Sequence, residues 1–243
     1  MDLLSFLRPS LQQQIQRLRK KAKEPHGDPS TRINACRKLI EIGSEDATYA
    51  LLDRFSISAS PSRQDDEEKE EVLGWIVRQG EQAVSALIRY LKRERQVYWP
   101  FRALQSILPP DRLAESLNEV LRHHWENPPA NPDPTAQLIR AAEGLHTSEL
   151  DETIAFFLDH EDDDVCLAAL DYLFKRDEEE SRAPVLQTYV NAADRPRLRA
   201  YILDRMAELG WSVRGFRPTV EESLPEGYSL TRDGVVKTIH RRP

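Results

Sequence analysis

The sequence predicts an all-α protein, a right-handed α-solenoid of about five to six helix pairs with an N-terminal capping helix and a small C-terminal β-hairpin. Three observations lead to this prediction. Apolar residues recur at helical spacing in paired segments, the pairs repeat about every 35 residues, and helical periodicity stops after Gly210. Because one helix pair cannot bury its apolar stripe alone, neighbouring pairs are expected to stack into a continuous core.

The predicted domain organisation has three parts. Residues 1–27 form an amphipathic capping helix, residues 28–210 form the array of helix pairs, and residues 211–243 form an extension that contains the hairpin. Leu11 and Ile15 lie on one face of the first helix, which is suited to cover the first pair, while basic residues on the opposite face stay in water. A weak contact of this helix with a membrane surface is the alternative.

Local start and stop signals mark the helix pairs. The first pair begins at residues 28–30, where an aspartate, a proline and a serine are typical of a helix start, and its first helix ends at Gly43. The third pair begins near Trp99, with Pro100 in the first helical turn. A proline-rich stretch at 127–134 predicts a loop, because a helix cannot cross it.

Two further segments carry specific signals. The acidic run at 65–68 opens the second pair, since carboxylates suit the positive end of a helix. Residues 228–239 alternate apolar and polar side chains on both sides of Asp233-Gly234. This alternation predicts a β-hairpin with a two-residue turn that covers the end of the array.

The fifth pair carries the clearest repeat signature. Residues 162–170 read DDDVCLAAL, with an Asp-x-x-Val-x-x-Ala-Ala-like opening from Asp162 to Ala169. Together with the recurring helix pairs, this opening resembles HEAT repeats, and in particular the short HEAT-like repeats of phycobilin lyases. The resemblance covers roughly residues 28–210 and implies an armadillo-type α-solenoid.

The resemblance also brings enzyme families into consideration. Deoxyhypusine hydroxylases hold a di-iron site on several His-Glu pairs, whereas this sequence has one adjacent pair, His160-Glu161. Phycobilin lyases bind a tetrapyrrole, so a chaperone-like lyase or another enzyme on the same repeats is kept as the alternative function. No metal or cofactor is assigned, because adjacent histidines at 123–124 point to different helix faces and residues 162–164 lack the rest of a calcium loop.

The charge distribution bears on possible partners. The net charge is −7, but residues 1–40 carry +6 and residues 195–243 carry +4, so residues 41–194 carry −17. Such a body repels a phosphate backbone, which argues against a nucleic-acid partner and against a HEAT-like DNA glycosylase. With no long uncharged apolar run and no secretion signal, the protein is expected in the cytoplasm, and Cys36 and Cys166 are expected to be free, buried thiols.

The leading functional hypothesis is a non-catalytic scaffold or adaptor that binds another protein. The sequence contains no Gly-rich phosphate loop, GxSxG elbow or HExxH motif. Aromatic residues and arginine are enriched where partners dock, and the second helices of such repeats usually line the concave face. The candidate partner-binding residues are Tyr98, Trp99, Phe101 and Arg102 at the start of the third pair, and Arg54, Arg89, Tyr90 and Arg122, with Tyr189, on second helices.

Overall fold

The computed structural model describes residues 9–176 and 178–239, which are mostly helical and include one two-stranded antiparallel sheet. The predicted helical class and the C-terminal hairpin are therefore confirmed. The chain divides into two compact units, Met1–Pro134 and Thr135–Pro243. None of the described helices is both long and apolar enough to cross a bilayer.

Along the chain, the described residues form thirteen α-helices followed by two strands. Of the predicted capping helix at 1–27, residues 1–8 lie outside the described residues. The elements of the first unit are α1 (Leu11–Ala22), α2 (Pro29–Ile42), α3 (Glu45–Leu52, continued by a 3-10 turn at Asp53–Ser56), α4 (Ser62–Gln79), α5 (Glu81–Leu91), α6 (Tyr98–Ile107) and α7 (Pro110–Glu126). From the unit boundary onward they are α8 (Asp133–Ala141), α9 (Ser148–Phe156, continued by a 3-10 turn at Phe157–Asp159), α10 (Asp163–Leu173), α11 (Glu178–Asn191), α12 (Pro196–Leu209), α13 (Arg217–Glu222), β1 (Tyr228–Leu230) and β2 (Val236–Thr238).

Capping residues explain where α1 and α2 begin and where α2 ends. Ser10 and Gln13 form a capping box at the start of α1, each side chain accepting a hydrogen bond from the other's backbone N–H. Asp28 caps α2 by accepting from the N–H of Thr31 at 2.8 Å, as the sequence predicts. Gly43 ends α2 in the left-handed conformation, with φ of 67°.

In the first unit the helices pack in two rows. α2, α4 and α6 contact one another in succession, and so do α3, α5 and α7. α1 packs against both α2 and α3. Each helix therefore buries its apolar stripe against its row neighbours and against the other helix of its pair. The fully buried core side chains of this unit include Leu39, Leu51, Ile76, Leu87 and Leu91.

In the second unit α10 has the central position. It contacts α9, α11, α12 and the 3-10 turn that follows α9, while α12 contacts β2. Asp162 caps α10 by accepting from the N–H groups of Asp164 and Val165 at 2.9 and 3.2 Å, which confirms the predicted helix start. The buried core side chains of this unit include Leu150, Ile154, Phe157, Leu170 and Ile202.

The hairpin corrects one detail of the sequence prediction. Instead of a two-residue turn, Thr231 and Val235 close a three-residue loop, and the N–H of Thr231 donates to the carbonyl of Val235 at 3.0 Å. Gly234 occupies the left-handed position of this loop, with φ of 80°. The hairpin also pairs with the segment that precedes it. The N–H of Val213 donates to the carbonyl oxygen of Gly234 at 2.9 Å, and Ser212 forms an isolated antiparallel bridge with Val235.

Candidate functional site

Four of the predicted partner-binding residues, including Tyr189 of the second unit, are inside the protein. Arg54 and Tyr90 are fully buried and Phe101 is 4% exposed, so these side chains cannot meet a partner at the surface. Arg54 departs from the prediction because it lies beyond the end of α3, in the 3-10 turn at Asp53–Ser56, where its guanidinium faces α4. The ring of Tyr90 packs against the ring of Tyr49, with centroids 5.6 Å apart.

The other three residues at the start of α6, Tyr98, Trp99 and Arg102, form a surface cluster that we name the α6 patch, in which Tyr98 is exposed and the other two side chains are half-buried. Tyr98 is 58% exposed, the highest value among the large apolar side chains in the described part of the chain. Its ring meets Trp99 edge to face, with centroids 5.3 Å apart. The Arg102 guanidinium lies 5.4 Å from the Trp99 centroid. The patch therefore presents two aromatic rings and one cation side by side.

Neighbouring side chains hold the α6 patch in place. Trp99 stacks on the buried ring of Phe55, with centroids 5.7 Å apart and planes inclined by 8°. The Arg102 guanidinium donates to Glu70 at 2.5 Å, and this hydrogen bond raises the pKa of Arg102. Both anchors restrict side-chain freedom before a partner arrives, which lowers the entropic cost of association.

The second helices of the first unit line an open cavity of about 680 Å³. Of the predicted groove residues, this cavity includes Arg89, which already pairs with Glu45 and Asp46 at 2.9 and 3.0 Å. Arg122 is exposed on α7 but is outside the described lining of the cavity. Tyr189 belongs to the second unit and is fully buried. The structure therefore does not gather these residues into a single charged groove.

Five charged residues of the first unit are buried together, and we name them the buried-charge cluster: Arg32, Arg54, Asp65, Glu68 and Lys69. Arg32 donates to both carboxylate oxygens of Glu68, at 2.7 and 2.8 Å. Arg54 donates to Asp65 at 2.5 Å and to Glu68 at 3.1 Å. Lys69 donates to Asp65 at 2.7 Å. Two carboxylates therefore pair with three cations, which come from α2, from α4 and from the 3-10 turn after α3.

Sequence reasoning missed the buried-charge cluster, although one signal for it was present. The run at 65–68 is predicted to open a helix, whereas α4 begins at Ser62 and both Asp65 and Glu68 are buried. Asp65, Glu68 and Val72 are three and four residues apart, so the carboxylates continue the apolar stripe of α4. A charged residue on such a stripe requires a buried partner elsewhere in the chain.

The two cysteines are buried and free, as the sequence predicts. Burial raises the pKa of Cys36 to about 12 and also raises the pKa of Cys166. Both thiols are therefore protonated at neutral pH, which makes them poor nucleophiles and poor metal ligands. Across residues 9–176 and 178–239, no group of three or more His, Cys, Asp or Glu side chains is placed to hold a metal ion.

His124 on α7 gives the first unit a specific pH dependence. Its side chain is buried, and its Nε2 lies 3.0 Å from the carbonyl oxygen of Leu91, so the ring N–H donates there. Burial lowers the pKa of His124, and the hydrogen bond to Leu91 opposes this effect only in part. The folded state favours the neutral ring of His124. The stability that this ring contributes is therefore fully present above the ordinary histidine pKa of about 6.5, and it is lost as the pH falls through the lowered pKa of the folded state.

We expect His124→Gln, which keeps a donor for Leu91, to reduce this loss of stability on acidification. The measurement is the free energy of unfolding from urea titrations at about pH 7.5 and about pH 5. His123→Gln, at the less buried neighbouring position, is the control and should lose as much stability as the wild type. An equal loss in the His124 variant would contradict the assignment.

Comparison of the chain with protein-family models, with curated proteins and with solved structures finds no match. The described residues define an α-helical protein with a small antiparallel sheet. Its first unit carries the α6 patch at the surface, and the ring of Trp99 stacks there on the buried Phe55.

Proposed function

We propose that this protein is a non-catalytic scaffold, built on HEAT-like helix pairs stacked as an α-solenoid, that binds another protein through the α6 patch. The observation that carries the proposal is the patch itself, in which Tyr98, Trp99 and Arg102 lie at the surface in fixed contact with one another. Tyrosine, tryptophan and arginine are the residue types most enriched among the hot spots of protein interfaces.

The anchoring of the α6 patch supports a role in binding. An exposed tyrosine with no neighbours loses rotamer freedom when a partner covers it, whereas Tyr98 already rests against Trp99. Trp99 is in turn fixed by Phe55. Rigid aromatic side chains of this kind supply a large contact area at a small entropic cost.

The helix contacts of the first unit support the scaffold part of the proposal. Stacked helix pairs require each first helix to touch the next first helix, and each second helix to touch the next second helix. The rows α2–α4–α6 and α3–α5–α7 have these neighbour relations. The strongly acidic segment 41–194 favours a protein partner over a nucleic acid.

The test is affinity capture with the full-length chain, followed by measurement of the dissociation constant for the recovered protein. We expect Tyr98→Ala to weaken binding about 30-fold, equivalent to about 2 kcal/mol, because it removes the most exposed ring of the patch. Trp125→Ala is the matched control, since Trp125 is an aromatic residue on α7 that is 41% exposed and lies outside the patch.

Two outcomes would contradict the proposal. In one, folded Tyr98→Ala and Arg102→Ala variants bind the recovered protein as tightly as the wild type. In the other, the purified chain carries a stoichiometric chromophore in its absorbance spectrum, which would favour the lyase alternative. Circular dichroism of each variant separates lost binding from lost folding.

A further inference from the structure

The second unit contains a cavity of about 490 Å³ between α8 and α10. Its volume falls in the range of about 300–1,000 Å³ that is typical of small-molecule sites. Ile139, Ala168 and Tyr172 lie beneath its floor, almost completely covered by the side chains around them. The charged or titratable side chains that line it are Arg140, Glu143, His146, Asp171, Lys175 and Arg176.

The two carboxylates of this cavity are already engaged. Glu143 accepts a hydrogen bond from Lys175 at 2.7 Å, and Asp171 accepts one from the hydroxyl of Tyr201. Arg140 is exposed and has no carboxylate partner in the described part of the chain; its guanidinium donates at 3.4 Å to the backbone carbonyl of Asp164. The lining of the cavity has three cations, Arg140, Lys175 and Arg176, against these two carboxylates.

Arg176 adds a buried cation to the wall of the cavity. Its side chain is only 8% exposed, and it donates to the Leu145 carbonyl at 2.6 Å and to Nε2 of His146 at 3.0 Å. Its Nε has no hydrogen-bond partner in the described residues, although a carboxylate oxygen of Asp151 lies 3.4 Å away. Burial lowers the pKa of Arg176, as expected for a cation whose charge is incompletely compensated.

The contact between Arg176 and His146 also determines which atom of the imidazole ring carries the proton. A guanidinium can only donate, so Nε2 of His146 must accept, and the proton of a neutral ring then lies on Nδ1. His146 therefore retains an N–H donor besides the cations Arg140 and Lys175. A guanidinium, an ammonium and an imidazole N–H are together suited to an oxyanion.

We propose that the cavity between α8 and α10 binds a small molecule that carries an oxyanion, either a carboxylate or a phosphate. The oxyanion contacts Arg140 and Lys175, whose side chains are exposed at the rim. This site is in the second unit and uses none of the residues of the α6 patch. A negative result for this site would therefore leave the proposed scaffold function unaffected, and the reverse also holds.

The test is a calorimetric titration of the full-length chain with two probes that share a benzene ring, phenyl phosphate and benzoate. Benzyl alcohol is the neutral control. We expect saturable binding of at least one anion with a millimolar dissociation constant, and no binding of the alcohol. The tighter of the two anions identifies whether the site prefers phosphate or carboxylate. Absence of saturable binding for both anions would overturn the proposal.

Three variants distinguish a site from a general effect of charge. Arg140→Ala should weaken binding about tenfold, because it removes a charged hydrogen-bond donor at the rim. Glu143→Gln should tighten binding, because it removes a negative charge from the lining. Arg197→Ala, which removes an exposed arginine of the same unit outside the cavity, should bind as the wild type. Equal effects of Arg140→Ala and Arg197→Ala would refute the site.

Discussion

Replacing Glu68 with alanine is expected to lower the free energy of unfolding by about 3–5 kcal/mol, the usual cost of removing one partner from a buried ion pair. The reason is that Glu68 accepts hydrogen bonds from both Arg32 and Arg54. Without this carboxylate, Arg32 loses its bidentate partner and Arg54 is left with Asp65 alone. Urea denaturation monitored by circular dichroism is the measurement.

Glu67→Ala is the matched control for this experiment. Glu67 is the preceding residue of α4 and pairs with Arg63, but both side chains are largely exposed. Exposed pairs of this spacing contribute about 0.3–0.5 kcal/mol, so the control should remain close to the wild type. If the Glu68 and Glu67 variants had the same unfolding midpoint, the buried-charge cluster would be irrelevant to stability.

Phe55→Ala is expected to have a comparably large effect, about 3–5 kcal/mol, because it leaves a cavity where a fully buried ring was packed. It also removes the surface on which Trp99 stacks, so tryptophan fluorescence should shift towards that of a more hydrated indole. Urea denaturation and the emission spectrum of the folded variant check both parts.

The control for Phe55 is Phe156→Ala, since Phe156 is 45% exposed. Its truncation should cost less than about 1 kcal/mol. A Phe55 variant with wild-type stability would show that the ring is not part of the core. A stable variant with an unchanged emission spectrum would show that Trp99 does not depend on the stacking contact.

The elements that could be predicted from the sequence are those set by local signals. Asp28 and Asp162 start helices and Gly43 ends one, because a cap needs only residues a few positions away. The hairpin turn at Asp233-Gly234 was predicted with the wrong loop length. The hairpin also pairs with residues 211–213, and a local turn signal cannot reveal such a contact.

The exposure and burial of the candidate site residues could likewise be predicted only in part from local sequence signals. Within the first turn of α6, Tyr98 is exposed and Phe101 is buried, and the burial of Arg54 and Tyr90 likewise depends on which helices pack around them. Hydrophobic periodicity assigns a charged residue to the solvent side. The pairing of Arg32 with Glu68 spans 36 positions in the sequence, so periodicity within one helix cannot detect it.

The buried-charge cluster also has a consequence for how the chain assembles. Helix pairs of similar length and composition present similar apolar stripes, so hydrophobic burial alone discriminates weakly between correct and shifted neighbours. Arg32 and Glu68 can satisfy each other in only one juxtaposition of α2 and α4, and any other leaves charges desolvated and unmatched. The cluster thus acts against a shifted pairing of α2 with α4 during folding.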